Sequence, residues 1–306
     1  HGHAQTIAVR GASRTAKATL NSVVYDGLGR ILSQVDANGT QTSVYNGGSR
    51  QITVTNSAGL IAVQTFDTRG RLLSVSSTGS DGYGATTQRT TQYRYDANGR
   101  LAMTQDATGV RTYTLYDQAG RVSARVDGVG AVIEYTYNAA GQLAQEQRYT
   151  NLAVTTSWDN GSAVTKTLVS EIRPEAHASD RSISHVYDAA GRLSASTNDI
   201  GLVTMFSYDP SGLLLETRAG DRVVRYFHDA AGRQLGQLDA EGYLRESINN
   251  AGGQLLRVTR YEVATSSALR ATGTLDQLRP TAGNNLSTWY YYDVAGRQIG
   301  SVDEQQ

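Results

Sequence analysis

Five histidines, 28 acidic side chains and many serines are the groups in this chain of 306 residues that could move a proton, hold a metal or attack a carbonyl. The histidines are His1, His3, His177, His185 and His228. None stands in the H-x-x-x-H spacing that turns two imidazoles onto one ion. His1 and His3 read as a terminal remnant, and His228 occupies a position where neighbouring repeats carry tyrosine. With no cysteine, there is no thiolate nucleophile, no disulfide framework and no Cys-based metal site. The serines lack a Gly-x-Ser-x-Gly elbow to expose a nucleophile. Gly79-Ser80-Asp81-Gly82-Tyr83-Gly84 is rich in glycine but is followed by no Lys-Ser/Thr pair, so it reads as a loop and not as a phosphate cradle. The expectation is a chain without catalytic residues, metal ligands or cofactor.

The acids have a different pattern. Tyr25-Asp26-Gly27-Leu28-Gly29-Arg30 is the first of a series of aromatic-Asp/Asn-x-x-Gly-Arg/Gln sextets. It returns as Phe66-Asp67 with Gly70-Arg71, Tyr95-Asp96 with Gly99-Arg100, and Tyr116-Asp117 with Gly120-Arg121. Tyr137-Asn138 follows with Gly141, then Tyr187-Asp188 with Gly191-Arg192. His228-Asp229 with Gly232-Arg233 and Tyr292-Asp293 with Gly296-Arg297 complete the strong copies. Weaker ones open at Tyr45, Tyr208 and Asn249. The steps from Tyr95 to Tyr116, from Tyr116 to Tyr137 and from Tyr187 to Tyr208 are equal in length. Between the strong turns lie others such as Asp36-Ala37-Asn38-Gly39, Asp106-Ala107-Thr108-Gly109, Asp127-Gly128-Val129-Gly130 and Asp239-Ala240-Glu241-Gly242. A catalytic site is built once, whereas a motif at every second turn belongs to a repeating scaffold.

The segments between turns, such as Arg111 to Tyr116 and Val132 to Tyr137, are β-branched and aromatic, as short strands are. Turn, strand, turn, strand makes a continuous antiparallel meander. In D-x-x-G-R the residues x-x-G suit a three-residue hairpin loop, a type I turn closed by a left-handed glycine. The Asp carboxylate can accept the turn's N–H groups. Tyr then faces the Leu after Arg across the hairpin. Alternation places Tyr and Leu on one face and Asp and Arg on the other. Each such pair contributes only about 0.2–1 kcal/mol, but many in register hold a sheet. Oxygen-rich turns raise the question of calcium. However, each loop offers a single carboxylate and no D-x-D-x-D-G run occurs.

Composition fits this reading. Lys and Arg total 28 against 28 Asp and Glu, so nothing favours a nucleic acid or an anionic membrane as partner. Only Lys17 and Lys166 are lysines, and many of the arginines belong to the repeated Gly-Arg. There are 32 Gly against 3 Pro and 18 Tyr against 3 Phe, a turn-rich β composition and not a disordered one. No apolar run approaches the ~20 residues of a spanning helix.

A run of YDxxGR units at this spacing, from about Tyr25 to Arg297, resembles the RHS or YD-repeat family: bacterial RHS proteins, the C components of insecticidal Tc toxin complexes and the animal teneurins. The resemblance implies an all-β ribbon that spirals into a hollow, partly open shell with short helical or irregular insertions. In bacterial members such a shell keeps a toxic domain or other cargo enclosed. It further implies a secreted or cell-surface bacterial protein whose first partner is the rest of its own longer chain. The nearest match to the autoprotease motif of cargo-releasing shells, Tyr208-Asp209-Pro210-Ser211-Gly212, lies within the repeat register, so autoproteolysis is not carried over. A surface adhesin, or a carbohydrate- or receptor-binding repeat module, is the alternative reading.

On this basis residues 1–24 are lead-in strands and 25–306 the repeat array, with insertions at about 72–92, 148–183 and 260–288. Two of these match each other: Arg148-Tyr149 leads to Ile172-Arg173-Pro174, and Arg260-Tyr261 leads to Leu278-Arg279-Pro280. Each is followed by a strong turn, at Tyr187 and at Tyr292, so a longer repeat overlies the short one. In the second insertion Leu269, Ala271, Leu275 and Leu278 could share one side of a short helix, which must end by Arg279 because Pro280 follows. Such excursions from a rigid scaffold are where recognition would sit.

Overall fold

The computed structural model describes residues 4–5, 22–36, 39–80, 86–161, 163–283 and 285–305. His1, His3, Ala37, Asn38 and residues 81–84 of the glycine-rich stretch lie outside the described residues. The chain is all-β and antiparallel. It divides into two compact units, one formed by residues 1–135 and 148–180, the other by 136–147 and 181–306.

In the first unit, every strand from Ser22–Tyr25 to Val122–Val126 pairs antiparallel with the strand that follows it. Residues 72–92 belong to two strands of one long hairpin, Leu72–Ser80 and Thr86–Tyr95. The second unit repeats the arrangement from Arg181–Tyr187 to Gln298–Gln305. Sequential pairing of this kind needs only tight turns and no crossover.

Period-2 alternation decides which side chains are buried. Met103, Tyr113, Ala124, Val126 and Val132 lie opposite one another or two residues apart on neighbouring strands, and each is at most 1% exposed. They are sealed by Trp158 and Ile172 from the excursion 149–180, with Tyr149, Ala153, Val164 and Val169 packed around them. In the second unit Leu238 and Leu244 face each other and are covered by Leu278, with Phe227, Tyr261, Leu269 and Leu275 at the margin.

Each excursion holds one short helical turn. Val169–Glu171 is a 3-10 turn, and the Glu171 carboxylate accepts the Thr167 and Leu168 amides. Leu275–Leu278 is a short helix with reciprocal bonds between Thr274 and Gln277, a capping box. It is shorter than the span Leu269 to Leu278. Leu269 and Leu275 still pack beside Leu278, but the backbone before Thr274 is turn. Arg279 is extended (φ −63°, ψ 121°), as Pro280 requires.

Candidate functional site

The repeated sextets form one constellation many times over. At the first, the Gly29 amide donates to the Asp26 carbonyl at 3.1 Å and the Asp26 amide to the Arg30 carbonyl at 2.9 Å. Gly29 closes the turn at φ 77°, in the left-handed region that a Cβ would disfavour. One Asp26 carboxylate oxygen, Oδ1, accepts the amides of Leu28 and Arg30 at 2.8 and 2.9 Å, and the other, Oδ2, accepts Arg30 Nε at 2.7 Å. The same Asp–Arg ion pair recurs at Asp67–Arg71, Asp96–Arg100, Asp117–Arg121, Asp188–Arg192, Asp229–Arg233 and Asp293–Arg297, with N···O distances of 2.6–2.8 Å. Gly70, Gly99, Gly120, Gly141, Gly191, Gly232 and Gly296 all have φ between 79° and 83°.

The Arg backbone amide is the largest influence holding Asp26, Asp67, Asp188, Asp229 and Asp293 below their ordinary pKa of 3.8, and it outweighs the opposing effect of burial. In two turns the ion pair is replaced by a neutral pair of the same shape. Asn138 Nδ2 donates to Gln142 Oε1 at 3.0 Å, and Asn250 Nδ2 to Gln254 Oε1 at 2.6 Å.

The intermediate turns share the backbone of the strong ones. Asp106, Asp127, Asn198 and Asp239 each accept the amides two and four residues on, and Gly109, Gly130, Gly201 and Gly242 take the positive φ. The copy at Tyr45 departs from the pattern. Its glycines fall at 47 and 48, and Arg50 takes the left-handed conformation at φ 51°. Pro210 fits the Asp209 turn because that position needs no amide donor and prefers a fixed negative φ.

Tyr95, Tyr187 and Tyr208 face Leu101, Leu193 and Leu214 across their hairpins, each at a register shift. That shift breaks strict alternation, and the arginines do not stay on a face of their own. Several reach the aromatic ring of a following turn. Arg30 lies over Tyr45, Arg71 over Tyr95, Arg100 over Tyr116 and Arg192 over Tyr208, at 4.3–4.7 Å from the ring centroid.

The tyrosine hydroxyl then donates back to the carbonyl that follows the preceding arginine or glutamine. Examples are Tyr95 to Leu72, Tyr116 to Leu101, Tyr187 to Leu143, Tyr208 to Leu193 and Tyr292 to Leu255, at 2.8–2.9 Å. Arg100, Arg192 and Arg233 also donate to the backbone of the next turn, at Asp117, Asp209 and Asn250. Gln142 and Gln254 do the same to Gly191 and Gly296. These reaches between turns were not visible within a single sextet. Successive turns are stapled to one another.

A second constellation, absent from the sequence reading, anchors each excursion. Tyr149 donates to Glu134 Oε2 at 2.6 Å while Arg173 grips both Glu134 oxygens at 2.9 and 2.6 Å. In the second unit Tyr261 donates to Glu246, and Arg279 grips both oxygens at 2.8–2.9 Å. Burial pushes Glu134 up, but the Arg173 and Tyr149 hydrogen bonds outweigh it and hold the carboxyl below its usual range. Burial, reinforced by the facing carboxylate, pushes Tyr149 and Tyr261 up to about 12. A backbone bond completes each anchor, from Ala153 N to Gly130 O at 2.8 Å and from Thr265 N to Gly242 O at 2.7 Å. The signal was present in the sequence. Glu134 precedes Tyr149, and Glu246 precedes Tyr261, by the same interval, and each tyrosine belongs to an Arg-Tyr pair.

Among the described histidines, His177 Nδ1 accepts the Ser179 amide, and His228 lies opposite Gln234 at the aromatic position of its hairpin. Among the described residues no group of three or more His, Cys, Asp or Glu could hold a metal ion, and no helix is long and apolar enough to cross a membrane.

The RHS Repeat family model matches residues 25–62, 116–151 and 187–223. The chain carries RHS repeats. Their repeated, stapled turns are a structural scaffold. Among solved structures, this RHS-repeat chain is similar to TcdB2-TccC3 without its hypervariable C-terminal region, with 14% identity and a TM-score of 0.37 over 94% of this chain and 18% of that one. TcdB2-TccC3 itself is 15% identical at a TM-score of 0.35, with the same coverage. The Photorhabdus luminescens Tc holotoxin pore is 13% identical at a TM-score of 0.30, over 94% of this chain and 21% of that one. The chain spans about a fifth of the length of these structures. No curated protein matches it.

Proposed function

We propose that this chain is a section of wall in a larger RHS-type shell that encloses or presents a cargo domain. The observation that carries the reading is the stapling. The side chains with the most chemical potential, Asp, Arg and Tyr of the sextets, are occupied in bonds to their own turn and to the next. Arg100, for instance, holds Asp96 at 2.6 Å, covers the Tyr116 ring at 4.4 Å and donates to the Asp117 carbonyl. Quasi-linear repeats gain stability from neighbour on neighbour, which suits a wall that must extend without a closed core of its own. The chemistry of such a wall is passive, and the work of the protein falls to what it surrounds.

Solution scattering and proteolysis of the longer polypeptide carrying these repeats test the proposal. A hollow envelope, with a cargo segment that resists protease until the repeats are cut, is the expected result. A straight rod with every segment equally cleavable overturns it.

A further inference from the structure

The two excursions are anchored at equivalent positions but differ in length. The path from Tyr261 to Arg279 is shorter than the path from Tyr149 to Arg173. Register outward from the anchoring glutamates is the same in both units. Ala124 faces Glu134 as Gly236 faces Glu246, and Tyr113 faces Val126 as Arg225 faces Leu238. On the next strand Met103 faces Tyr113 as Glu216 faces Arg225.

In the first unit Trp158 seals these positions. It is 4% exposed, with its ring edge-on to Tyr113 at 5.1 Å between centroids. Beside it the Asp159 carboxylate is buried 4.0 Å from Arg94. In the second unit the shorter excursion brings no aromatic residue to the equivalent place. A cavity of about 300 Å³ lies there, with Glu216, Arg225 and Leu238 beneath and Ser267, Arg270 and Ala271 at its side.

Its walls are held in place. Arg225 Nη1 donates to the Arg270 and Gly273 carbonyls at 2.8 and 3.1 Å, and Arg270 Nε to the Thr265 carbonyl at 3.1 Å. Of the lining carboxylates, Glu216 is paired with Arg218 and Asp239 accepts the amides of its own turn. The lining thus carries Arg218, Arg225 and Arg270 against three carboxylates, and among the described residues neither Arg225 nor Arg270 is held in an ion pair, which leaves both guanidinium groups able to take a carboxylate from a guest. A guanidinium also stacks on an aromatic face.

We propose that this cavity is a binding site for a peptide segment in which an aromatic residue is followed by a carboxylate, the chemistry that Trp158 and Asp159 supply in the first unit. The ring lies over Arg225 and the carboxylate meets Arg270.

The test is fluorescence anisotropy of a labelled synthetic peptide carrying the sequence from Thr155 to Gly161, titrated with the whole chain. Saturable binding is expected. It weakens at least tenfold when the peptide's Trp is replaced by Ala or its Asp by Asn, and when Ala271→Trp fills the cavity. Ser267→Trp is the second filling variant should Ala271→Trp not fold, and amide shifts in the unmodified chain should cluster at Ser267, Arg270 and Ala271. No saturation up to millimolar concentration overturns the proposal. So does binding that survives filling of the cavity, or a set of shifts away from these residues.

Discussion

The guanidinium carbon of Arg100 lies 4.4 Å from the centre of the Tyr116 ring, and the Tyr116 hydroxyl donates at 2.9 Å to the carbonyl of Leu101, the residue after that arginine. One tyrosine is thus held twice by the preceding turn, once through its face and once through its hydroxyl. Tyr116→Phe keeps the ring under the guanidinium and removes only the second bond. Its expected cost is about 0.5–1 kcal/mol, the net value of one hydrogen bond near solvent, read from the denaturant midpoint at unchanged slope. No loss would show that the hydroxyl bond adds nothing to the staple.

The excursions should open without the sheet. Glu134→Gln keeps the side-chain shape but gives up the charge that Arg173 grips. Because Arg173 is about half exposed and can rehydrate, the cost should be modest, about 1–2 kcal/mol. Amide exchange should quicken at Ala153 and Ile172, whose bonds to Gly130 and Val169 belong to the excursion. Exchange along Arg111–Tyr116 should change little. Uniform acceleration across the unit would mean that excursion and sheet open together.

Stability should respond to pH at both extremes. The turn aspartates have folded pKa values below 3.8, so their contribution is complete above that value and is lost as pH falls through the lower folded values. Tyr149 and Tyr261 are raised from 10 to about 12, so theirs is complete below pH 10 and is lost as pH rises toward 12. Denaturant midpoints should be flat between about pH 5 and 9 on this account and fall outside that range, on the order of one pH unit beyond either edge. The Asn138–Gln142 turn has no carboxylate to titrate, so its amides should keep their protection relative to the Asp188 turn in acid.

Glycines of similar φ should differ in what they tolerate. Gly70 at φ 79° has nothing within 4 Å of an added Cβ, so Gly70→Ala costs only the backbone term, about 1–2 kcal/mol. Gly130 at φ 96° would place a Cβ 2.5 Å from the Ala153 backbone oxygen and push the excursion off its anchor. Gly130→Ala should be the more damaging by at least about 1 kcal/mol in thermal unfolding. Equal losses would mean that the Gly130–Ala153 contact does not hold the excursion.

Much of the fold was legible because it is local. Asp26 to Arg30 contains every atom of its own turn, so residue type and spacing were enough to specify the left-handed Gly29 and the carboxylate bonds. The Arg100–Tyr116 contact joins side chains from two different turns and depends on how far a guanidinium reaches past a bulge, which a single turn motif does not encode. The Glu134–Tyr149–Arg173 anchor is harder still. One member lies inside the strand Val132–Tyr137 and two lie in the excursion, and on its own Glu134 looks like any acid in a strand. The helix was expected to extend as far as Leu269, since an apolar spacing alone does not distinguish helical turns from a packed loop. Thr274 with Gln277 carried the truer start signal.

The most direct measurement is a double-mutant cycle on Arg100 and Tyr116. Arg100→Met and Tyr116→Leu each remove one side of the stacked contact, and the cycle cancels the bonds that Arg100 makes to Asp96 and Asp117. A coupling of about 0.5–1 kcal/mol in unfolding free energy is the predicted result. Additive losses, with no coupling beyond error, would contradict the claim that each repeat is fastened to the next through its arginine and tyrosine.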